Sequence, residues 1–576
     1  MLCLCGLVAA SVGALQAGSV VDAGHDSGVT RVLGLAAQPW RALDVAVGGL
    51  LAPVPAGTRV ARAEVGGALV VGLAAAALYA LTRRLLSHCA RAPRLGPVVA
   101  AIATLSALLG PAWQREGVTI GGSATGASLI LLAPLLALRA LERPTRGRWS
   151  AVAAVLGLSI GHEPLVGLSA LGAIAVLAAR CRQFRVAFAR RPPEELRTIA
   201  AGGALGLLPF IVAVARTRAS GAPLAPALLR DWAGERGAAW GGSLAHLASE
   251  NIGGLGATMA LAGLTAGLLA ESARPLVLAL GAMTLIGVAS PCAGAPVGPT
   301  RVGAPVLAAT AAAWAFAGVG LLLLVRLVDQ ARVPLARWAA AMVILLELTL
   351  AVEAADASFA APRPRTDEWD ALVWGKMPPG TVVLLADPRT YERAQAARAS
   401  GTLPDRITIV PTFQSGGPPS RALLTEASWR HLWRDLALDG KPSEASLAAL
   451  ADSSPLDMAY DLEWDHGLAR HLVPDGLFDR YTAEPRGAID RLRALDAFRA
   501  VRDELALVVA HDPDLAEVTG ACLRARFAGY AAAGERDLAL RGAADALAIT
   551  PSDPAVAKLV DGMHGIGGAA ERARAR

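Results

Sequence analysis

Residues 150–178 read SAVAAVLGLSIGHEPLVGLSALGAIAVLA, an apolar run that is interrupted by the polar tetrapeptide Gly161-His162-Glu163-Pro164. The run is too long for one ordinary span, because a membrane-spanning helix needs about 20 residues. A break of this kind is tolerated at membrane depth only where it contacts protein or a water-filled cavity. The stretch therefore predicts two short or re-entrant helical halves within a membrane domain.

The composition of the whole chain is that of a multi-pass membrane protein. Hydrophobic residues make up 54% of the 576 residues, charged residues make up 18%, and the mean hydropathy is +0.46. A segment at 42–55 is too short and too polar to cross, and is expected to lie in the interface or to re-enter. Together with the broken run, the other apolar segments predict about 10 to 11 spans; they are 2–21, 66–83, 97–113, 120–138, 198–215, 252–270, 275–291, 303–325 and 338–354.

Arginines between the apolar runs set the predicted orientation. The arginine-rich segments 83–94, 139–148 and 180–197 can all be cytoplasmic, as positive loops are, only if 150–178 enters the membrane and returns. Everything after residue 355 is then extracytoplasmic, and the protein lies in the cytoplasmic membrane. Because topology accounts for the net charge of +6, no nucleic-acid partner is predicted.

The sequence predicts three domains. Residues 1–354 form the membrane domain, and residues 355–485 form an extracytoplasmic α/β domain. In the second domain, strands at 381–385 and 407–410 flank a helical segment, an order that favours parallel pairing. Residues 486–576 form a helical tail that is similar to a tetratricopeptide helix pair. Because one repeat cannot bury its own face, the tail is expected to be a terminal cap or a surface for a protein partner.

A charged cluster, Asp22-Ala23-Gly24-His25-Asp26-Ser27-Gly28, follows the first apolar run. Ionisable groups beside the hydrocarbon are costly and tend to mark substrate or ion sites. Any span must also end in polar residues, so position alone leaves both readings open. The six cysteines have neither metal-ligand spacing nor a disulfide framework, and the sequence leaves a metal site unknown.

Several short motifs follow one another in a characteristic order, and they are Asp22-Ala23-Gly24, Leu33-Gly34-Leu35-Ala36, Gly157-Leu158-Ser159-Ile160-Gly161-His162, Ala239-Trp240-Gly241 and Leu472-Val473-Pro474-Asp475-Gly476-Leu477. In this order they resemble motifs of a family of GT-C-type membrane glycosyltransferases. That family includes the transmembrane O-mannosyltransferase with a tetratricopeptide tail and many bacterial relatives. The chain departs from the family at His25, where the motif has glutamate, and at 37–42, where His-Pro-Pro-Gly-Tyr-Pro is expected.

The resemblance implies transfer of a sugar, with mannose as a candidate, from a polyprenyl-phosphate donor to a protein or glycan acceptor. Such a reaction needs a carboxylate to deprotonate the acceptor hydroxyl, and positive charge or a divalent metal to stabilise the departing phosphate. Asp22 is the implied base, and Asp26 could substitute for the missing glutamate. His25 could accept a proton or bind a metal, although a lone loop histidine is more often solvated.

Two arginines are candidate ligands of the lipid phosphate. Arg31 and Arg41 carry guanidinium groups, whose geometry suits phosphate oxygens. The alternative is a structural ion pair with Asp26 or Asp44.

Three further residues are candidate substrate contacts. His162 and Glu163 lie at the break in the long run, where they either bind substrate or cap the broken helix ends. Trp240 either contacts a sugar or acceptor, or anchors the chain at the membrane interface.

Three functions remain open at this stage. The first is a glycosyltransferase whose partners are membrane lipid, a lipid-linked sugar and the acceptor. The second is a catalytically inactive relative that acts as a membrane scaffold in envelope glycan assembly, because the motif glutamate is His25. The third is a transporter or flippase, which the large one-sided tail argues against.

Overall fold

A computed structural model of the chain describes residues 1–16, 40–51, 53–54, 59–89, 95–180, 193–219, 240–293, 295–297, 301–330, isolated positions between 338 and 353, 365–412, 427–439, 442–458, 466–510, 512–551, 556 and 558. They belong to two compact units. The membrane unit contains the described residues up to 353, and the C-terminal unit contains those from 365 onward.

The described part of the membrane unit is built from helices. They are α1 (Leu2–Gln16), α2 (Ala42–Gly49), α3 (Arg59–Cys89), α4 (Gly96–Leu108), α5 (Pro111–Val118), α6 (Ala124–Glu142), α7 (Arg146–His162), α8 (Pro164–Arg180), α9 (Pro193–Ala219), α10 (Trp240–Asn251), α11 (Gly253–Leu269), α12 (Arg274–Ala289) and α13 (Ala304–Gln330). The short segment predicted at 42–55 contains α2. Residues 240–251 form α10, because apolar residues recur there at helical spacing.

Five of these helices are long and apolar enough to cross a membrane. Two bent pairs, α4 with α5 at 64° and α10 with α11 at 89°, raise the number to seven if each pair is one span. The predicted count of about 10 to 11 spans exceeds what these length and composition criteria find among the described residues. The run at 97–113, which was expected to cross, is divided between α4 and α5, and each of these helices is shorter than a bilayer is thick.

The predicted break in the 150–178 run is confirmed. α7 ends at His162 and α8 begins at Pro164, a residue that lacks the N–H needed to continue a helix but suits a first helical position. The two halves then pack tightly, since a Cβ on Gly167 would lie 2.8 Å from the Cα of Ile160. The chain therefore turns back at Glu163.

Small residues bring α7 close to α9. A Cβ on Gly157 would lie 2.4 Å from the carbonyl oxygen of Gly203, and a Cβ on Gly206 would lie 2.1 Å from that of Ala154. Such contacts suit a membrane domain, where helices associate by close packing rather than by a hydrophobic force.

The C-terminal unit is an α/β fold with a helical tail. Its elements are α14 (Thr366–Val373), β1 (Val382–Leu385), α15 (Pro388–Ser400), β2 (Thr408–Pro411), α16 (Ala427–Leu438), α17 (Glu444–Ala451), β3 (Leu456–Met458), β4 (Leu472–Asp475), β5 (Phe478–Tyr481), α18 (Ala488–Val509), α19 (Pro513–Ala532) and α20 (Arg536–Ile549). The strand order is β2-β1-β3-β5-β4, with β1 parallel to β2 and β3. The predicted parallel strand–helix–strand unit is confirmed.

Tail and sheet elements of the C-terminal unit share one hydrophobic cluster, in which Trp374 and Phe478 pack together with Leu505 and Leu523. The boundary at residue 485 therefore stays a prediction about separable domains. The relation of α18–α20 to a tetratricopeptide repeat also stays a prediction.

Buried charges reinforce the sheet of this unit. Asp457 on β3 pairs with Arg480, whose Nε lies 3.0 Å from Oδ1. Burial outweighs this attraction and raises the pKa of Asp457 to about 6. On α19, the Arg526 guanidinium donates to Asp479 at 3.2 Å and to the carbonyl oxygen of Phe478 at 2.8 Å.

Candidate functional site

A polar cluster lies where several helices of the membrane unit begin or end. It consists of Arg41, Glu116, Ser123, His162 and Glu163. The start of α2, the end of α5 with the turn that precedes α6, and the break between α7 and α8 supply these residues. Helix ends leave backbone groups unsatisfied, so polar side chains collect at such points.

Arg41 connects three of these segments. Its Nη1 donates to the carbonyl oxygen of Gly121 at 2.7 Å. Its Nη2 donates to Ser123 Oγ at 3.4 Å and forms an ion pair with Glu163 Oε2 at 3.3 Å. Its backbone N–H donates to the carbonyl oxygen of His162 at 2.8 Å. The guanidinium therefore holds the turn before α6 against the break between α7 and α8.

The backbone of Arg41 is itself unusual. Its φ of 59° lies in the left-handed region, which non-glycine residues adopt rarely, and it is the N-cap of α2. Such conformations cost about 1 to 3 kcal/mol and persist where the surroundings impose them. The contacts of the side chain and the backbone of Arg41 supply that constraint.

Glu116 fixes the opposite side of the cluster. Its side chain is 2% exposed, Oε2 accepts from the backbone N–H of Ser123 at 2.8 Å, and Oε1 accepts from that of Val302 at 2.5 Å. Hydrogen bonds to a charged group are about twice as strong as neutral ones. Glu116 thereby ties the turn before α6 to the segment that leads into α13.

His162 is buried inside the membrane unit. A Cβ on Gly126 of α6 would lie 3.2 Å from its Cδ2, so the imidazole packs directly against that helix. Its position inside the protein fits the predicted polar break, which must contact protein rather than lipid.

A small cavity adjoins the cluster. It has a volume of about 20 Å³, and its walls include Asp44, Glu116, Gly121 and Thr125. Within the part of the chain that the structure describes, the two carboxylate oxygens of Asp44 have no hydrogen-bond partner. The sequence left open an ion pair between Arg41 and Asp44, but Arg41 pairs with Glu163.

The structure describes three of the predicted substrate contacts in detail, namely Arg41, His162 and Glu163, and brings them together. Trp240 begins α10, and its side chain lies outside the described residues. The predicted residues Asp22, His25, Asp26 and Arg31 also lie outside them.

Sequence reasoning gave no role in the site to two acidic residues that the structure places there. Glu116 lies near the place where the resembled family has Glu-Val-Tyr but aligns poorly with it, and Asp44 was considered only as a partner of Arg31 or Arg41.

No group of three or more histidine, cysteine, aspartate or glutamate side chains that could hold a metal occurs among the described residues.

The apolar helices of the described chain define a multi-pass membrane protein. One similar solved structure is "Crystal Structure of ArnT from Cupriavidus metallidurans bound to Undecaprenyl phosphate". The two chains are 14% identical with a TM-score of 0.44, over 73% of this chain and 94% of that chain. A TM-score below 0.5 does not establish a common fold. No protein-family model matches the sequence, and no curated protein matches it significantly.

Proposed function

We propose that the protein is a membrane glycosyltransferase of the GT-C type. It transfers a sugar, with mannose as the first candidate, from a polyprenyl-phosphate donor to a protein or glycan acceptor. The observation that carries the proposal is the position of Arg41, a guanidinium held at the helix break where the sequence motifs predicted the site. A departing lipid phosphate needs such a positive group beside it.

The contacts of Arg41 suit it to bind a phosphate. The guanidinium is oriented by Gly121 and Glu163, so little side-chain entropy is lost when a ligand docks. About 14% of its side chain remains exposed, and an anion can therefore reach it. Its planar fork matches two phosphate oxygens, which a lysine ammonium cannot do.

The residues that flank the 17–39 segment support Asp22 as the base. At the end of α1, a Cβ on Gly13 would lie 3.5 Å from Gln114 Oε1 on α5, the helix that carries Glu116. At the other end, Trp40 stacks on Phe210 at 4.6 Å and is followed directly by Arg41. The segment that contains Asp22, His25 and Asp26 thus starts and finishes near the polar cluster.

Substitution of the two aspartates tests the proposal. Asp22→Asn removes the base without changing its size, and should lower transfer from a radiolabelled polyprenyl-phosphate sugar by about 10² to 10⁴-fold. Asp26→Asn should lower the rate of transfer less than Asp22→Asn does, if the role of Asp26 is only to substitute for the missing motif glutamate. Purified protein in lipid nanodiscs with a set of labelled donors, mannose included, provides the assay.

Glu271→Gln is the matched control, because it neutralises an exposed carboxylate of the same unit. Transfer by this variant should equal that of the wild type. If Asp22→Asn and Asp26→Asn are as active as the control, the catalytic assignment is wrong.

A catalytically inactive scaffold is the second candidate, and His25 in place of the motif glutamate favours it. A scaffold would change envelope glycosylation when its gene is deleted, yet the two asparagine variants would restore glycosylation fully.

We also propose that the C-terminal unit is extracytoplasmic and that the membrane is the cytoplasmic one. The arginine-rich segments at 83–94, 139–148 and 180–197 support this orientation. Reporter fusions check it: a fusion after Arg191 should be active only as a cytoplasmic reporter, and one after Arg576 only as an extracytoplasmic reporter. A cytoplasmic C-terminus would contradict the orientation.

A further inference from the structure

Asp44 is a buried carboxylate that sugar transfer does not use. It lies in the first turn of α2 with 3% of its surface exposed. Both of its carboxylate oxygens lack a hydrogen-bond partner among the residues that the structure describes. An ionised carboxylate in such a place is strongly unfavourable unless a positive group compensates it.

The cavity beside Asp44 has room for that positive group. Its volume of about 20 Å³ is enough for one water-sized particle. Glu116 lines the same cavity, and two backbone N–H donors stabilise its negative charge. Arg41, the guanidinium of the polar cluster, is paired with Glu163 instead.

The walls of the cavity define the chemistry of the occupant. Its lining residues include Asp44, Glu116, Thr119, Thr125 and the glycines at 121–122, but no histidine and no cysteine. An all-oxygen set suits the hard cations magnesium, calcium and manganese, and is unsuited to zinc or copper. The two negative charges of Asp44 and Glu116 match one divalent ion.

We propose that Asp44 binds one hard divalent cation in this cavity, with Glu116 supplying the second negative charge. The ion bridges α2 to the turn between α5 and α6, next to the polar cluster. The proposal does not depend on sugar transfer, since cation binding is measured without any donor or acceptor.

Manganese is the probe for the first experiment, because electron paramagnetic resonance measures the concentration of free Mn²⁺. Subtracting this value from the total concentration gives the number of ions bound per chain. Purified full-length protein, stripped with a chelator, should bind one Mn²⁺ per chain, and Mg²⁺ or Ca²⁺ should displace it. Zinc at equal concentration should compete poorly. Absence of saturable binding, or the same binding in Asp44→Asn, would overturn the proposal.

Asp44→Asn keeps the shape of the side chain and removes the charge. It should bind at least tenfold less Mn²⁺ at a concentration that half-saturates the wild type, whereas Glu271→Gln should bind normally. The midpoint temperature of thermal unfolding gives an independent test of cation binding. In chelator, Asp44→Asn should unfold at a higher temperature than the wild type, because it lacks the uncompensated charge. Saturating Mn²⁺ should raise the midpoint of the wild type only.

A third measurement locates the ion in the unmodified protein, and so does not depend on a variant that folds. Fe²⁺ bound in place of the ion, with ascorbate and hydrogen peroxide, generates hydroxyl radicals that cleave the backbone nearby. Mass spectrometry should find cuts near 44–48 and 117–122. Cuts confined to other regions would place the cation elsewhere and refute the assignment to Asp44.

Discussion

Replacing Arg41 by alanine should lower the rate of sugar transfer by about 10² to 10³-fold, the range seen when one charge-stabilising donor is removed from an active site. The variant loses the group proposed to hold the lipid phosphate. It also leaves Glu163 without its ion pair and Gly121 without its donor. We expect the loss mainly in kcat, because the negative charge on the departing phosphate grows in the transition state.

Arg41→Lys separates charge from geometry. Lysine keeps the positive charge but lacks the planar fork that bonds Gly121 and Ser123 together. Its rate should fall between those of the wild type and alanine variants. The measurement is transfer from the labelled donor at saturating and limiting concentrations, with expression and monodispersity checked for each variant.

Arg62→Ala is the matched control for this prediction. Arg62 is another arginine of the membrane unit, and its Nη1 donates to the carbonyl oxygen of Val54 at 2.6 Å. Its removal should change transfer less than about twofold. An Arg41→Ala enzyme with the rate of the control would show that Arg41 is structural.

Replacing Arg526 by methionine should destabilise the C-terminal unit by about 3 to 5 kcal/mol, the usual cost of removing one partner of a buried ion pair. The guanidinium lies fully inside the unit, where it bonds Asp479 and the carbonyl oxygens of Gly476 and Phe478. It also stacks over the ring of Phe498 at 5.0 Å. Methionine fills the volume but makes no ion pair, and the Tyr530 hydroxyl still donates to Asp479 Oδ1.

The destabilisation should depend on pH with a definite sign. Burial raises the pKa of Asp479, and Arg526 opposes that rise. Without Arg526 the folded-state pKa rises further above the unfolded value of about 3.9. The stability of the variant is then greatest below the unfolded pKa, and it is lost as the pH rises through the folded pKa.

Hydrogen–deuterium exchange of the β4–β5 hairpin in the full-length protein measures the effect, because two-state unfolding is not expected of two units. Arg541→Met is the control: Arg541 pairs with Asp496 at the surface, so its loss should cost less than about 1 kcal/mol. Unchanged protection of the hairpin in Arg526→Met would contradict the prediction.

The break at Glu163 is a feature that the local sequence predicts. A polar tetrapeptide with proline inside an apolar run is unfavourable in contact with lipid, so the sequence predicted the break and its contact with either protein or a water-filled cavity. The parallel pairing of β1 and β2 was predictable for a similar reason, since two apolar strands with a helix between them pair in parallel. The cap of α15 at Asp387, which accepts from the backbone N–H of Thr390 at 2.8 Å, also follows from local chemistry.

The composition of the polar cluster did not follow from the sequence. Glu163 was predicted to bind substrate or to cap a helix end. It is the C-cap residue of α7, and its side chain pairs with an arginine located 122 positions earlier in the chain. Glu116 receives a hydrogen bond from Val302, 186 positions later. No local pattern encodes partners so distant, because their meeting depends on how every intervening helix packs.

The sequence by itself therefore determined the membrane class, the broken helix and the parallel α/β unit. Long apolar runs set the first, a polar tetrapeptide with proline sets the second, and the strand–helix–strand order sets the third. Only the tertiary structure decided that Arg41 pairs with Glu163, and that Asp44 lies with Glu116 in one cavity. The reason is physical: segment structure is set by neighbouring residues, whereas a site forms from helix ends that only packing brings together.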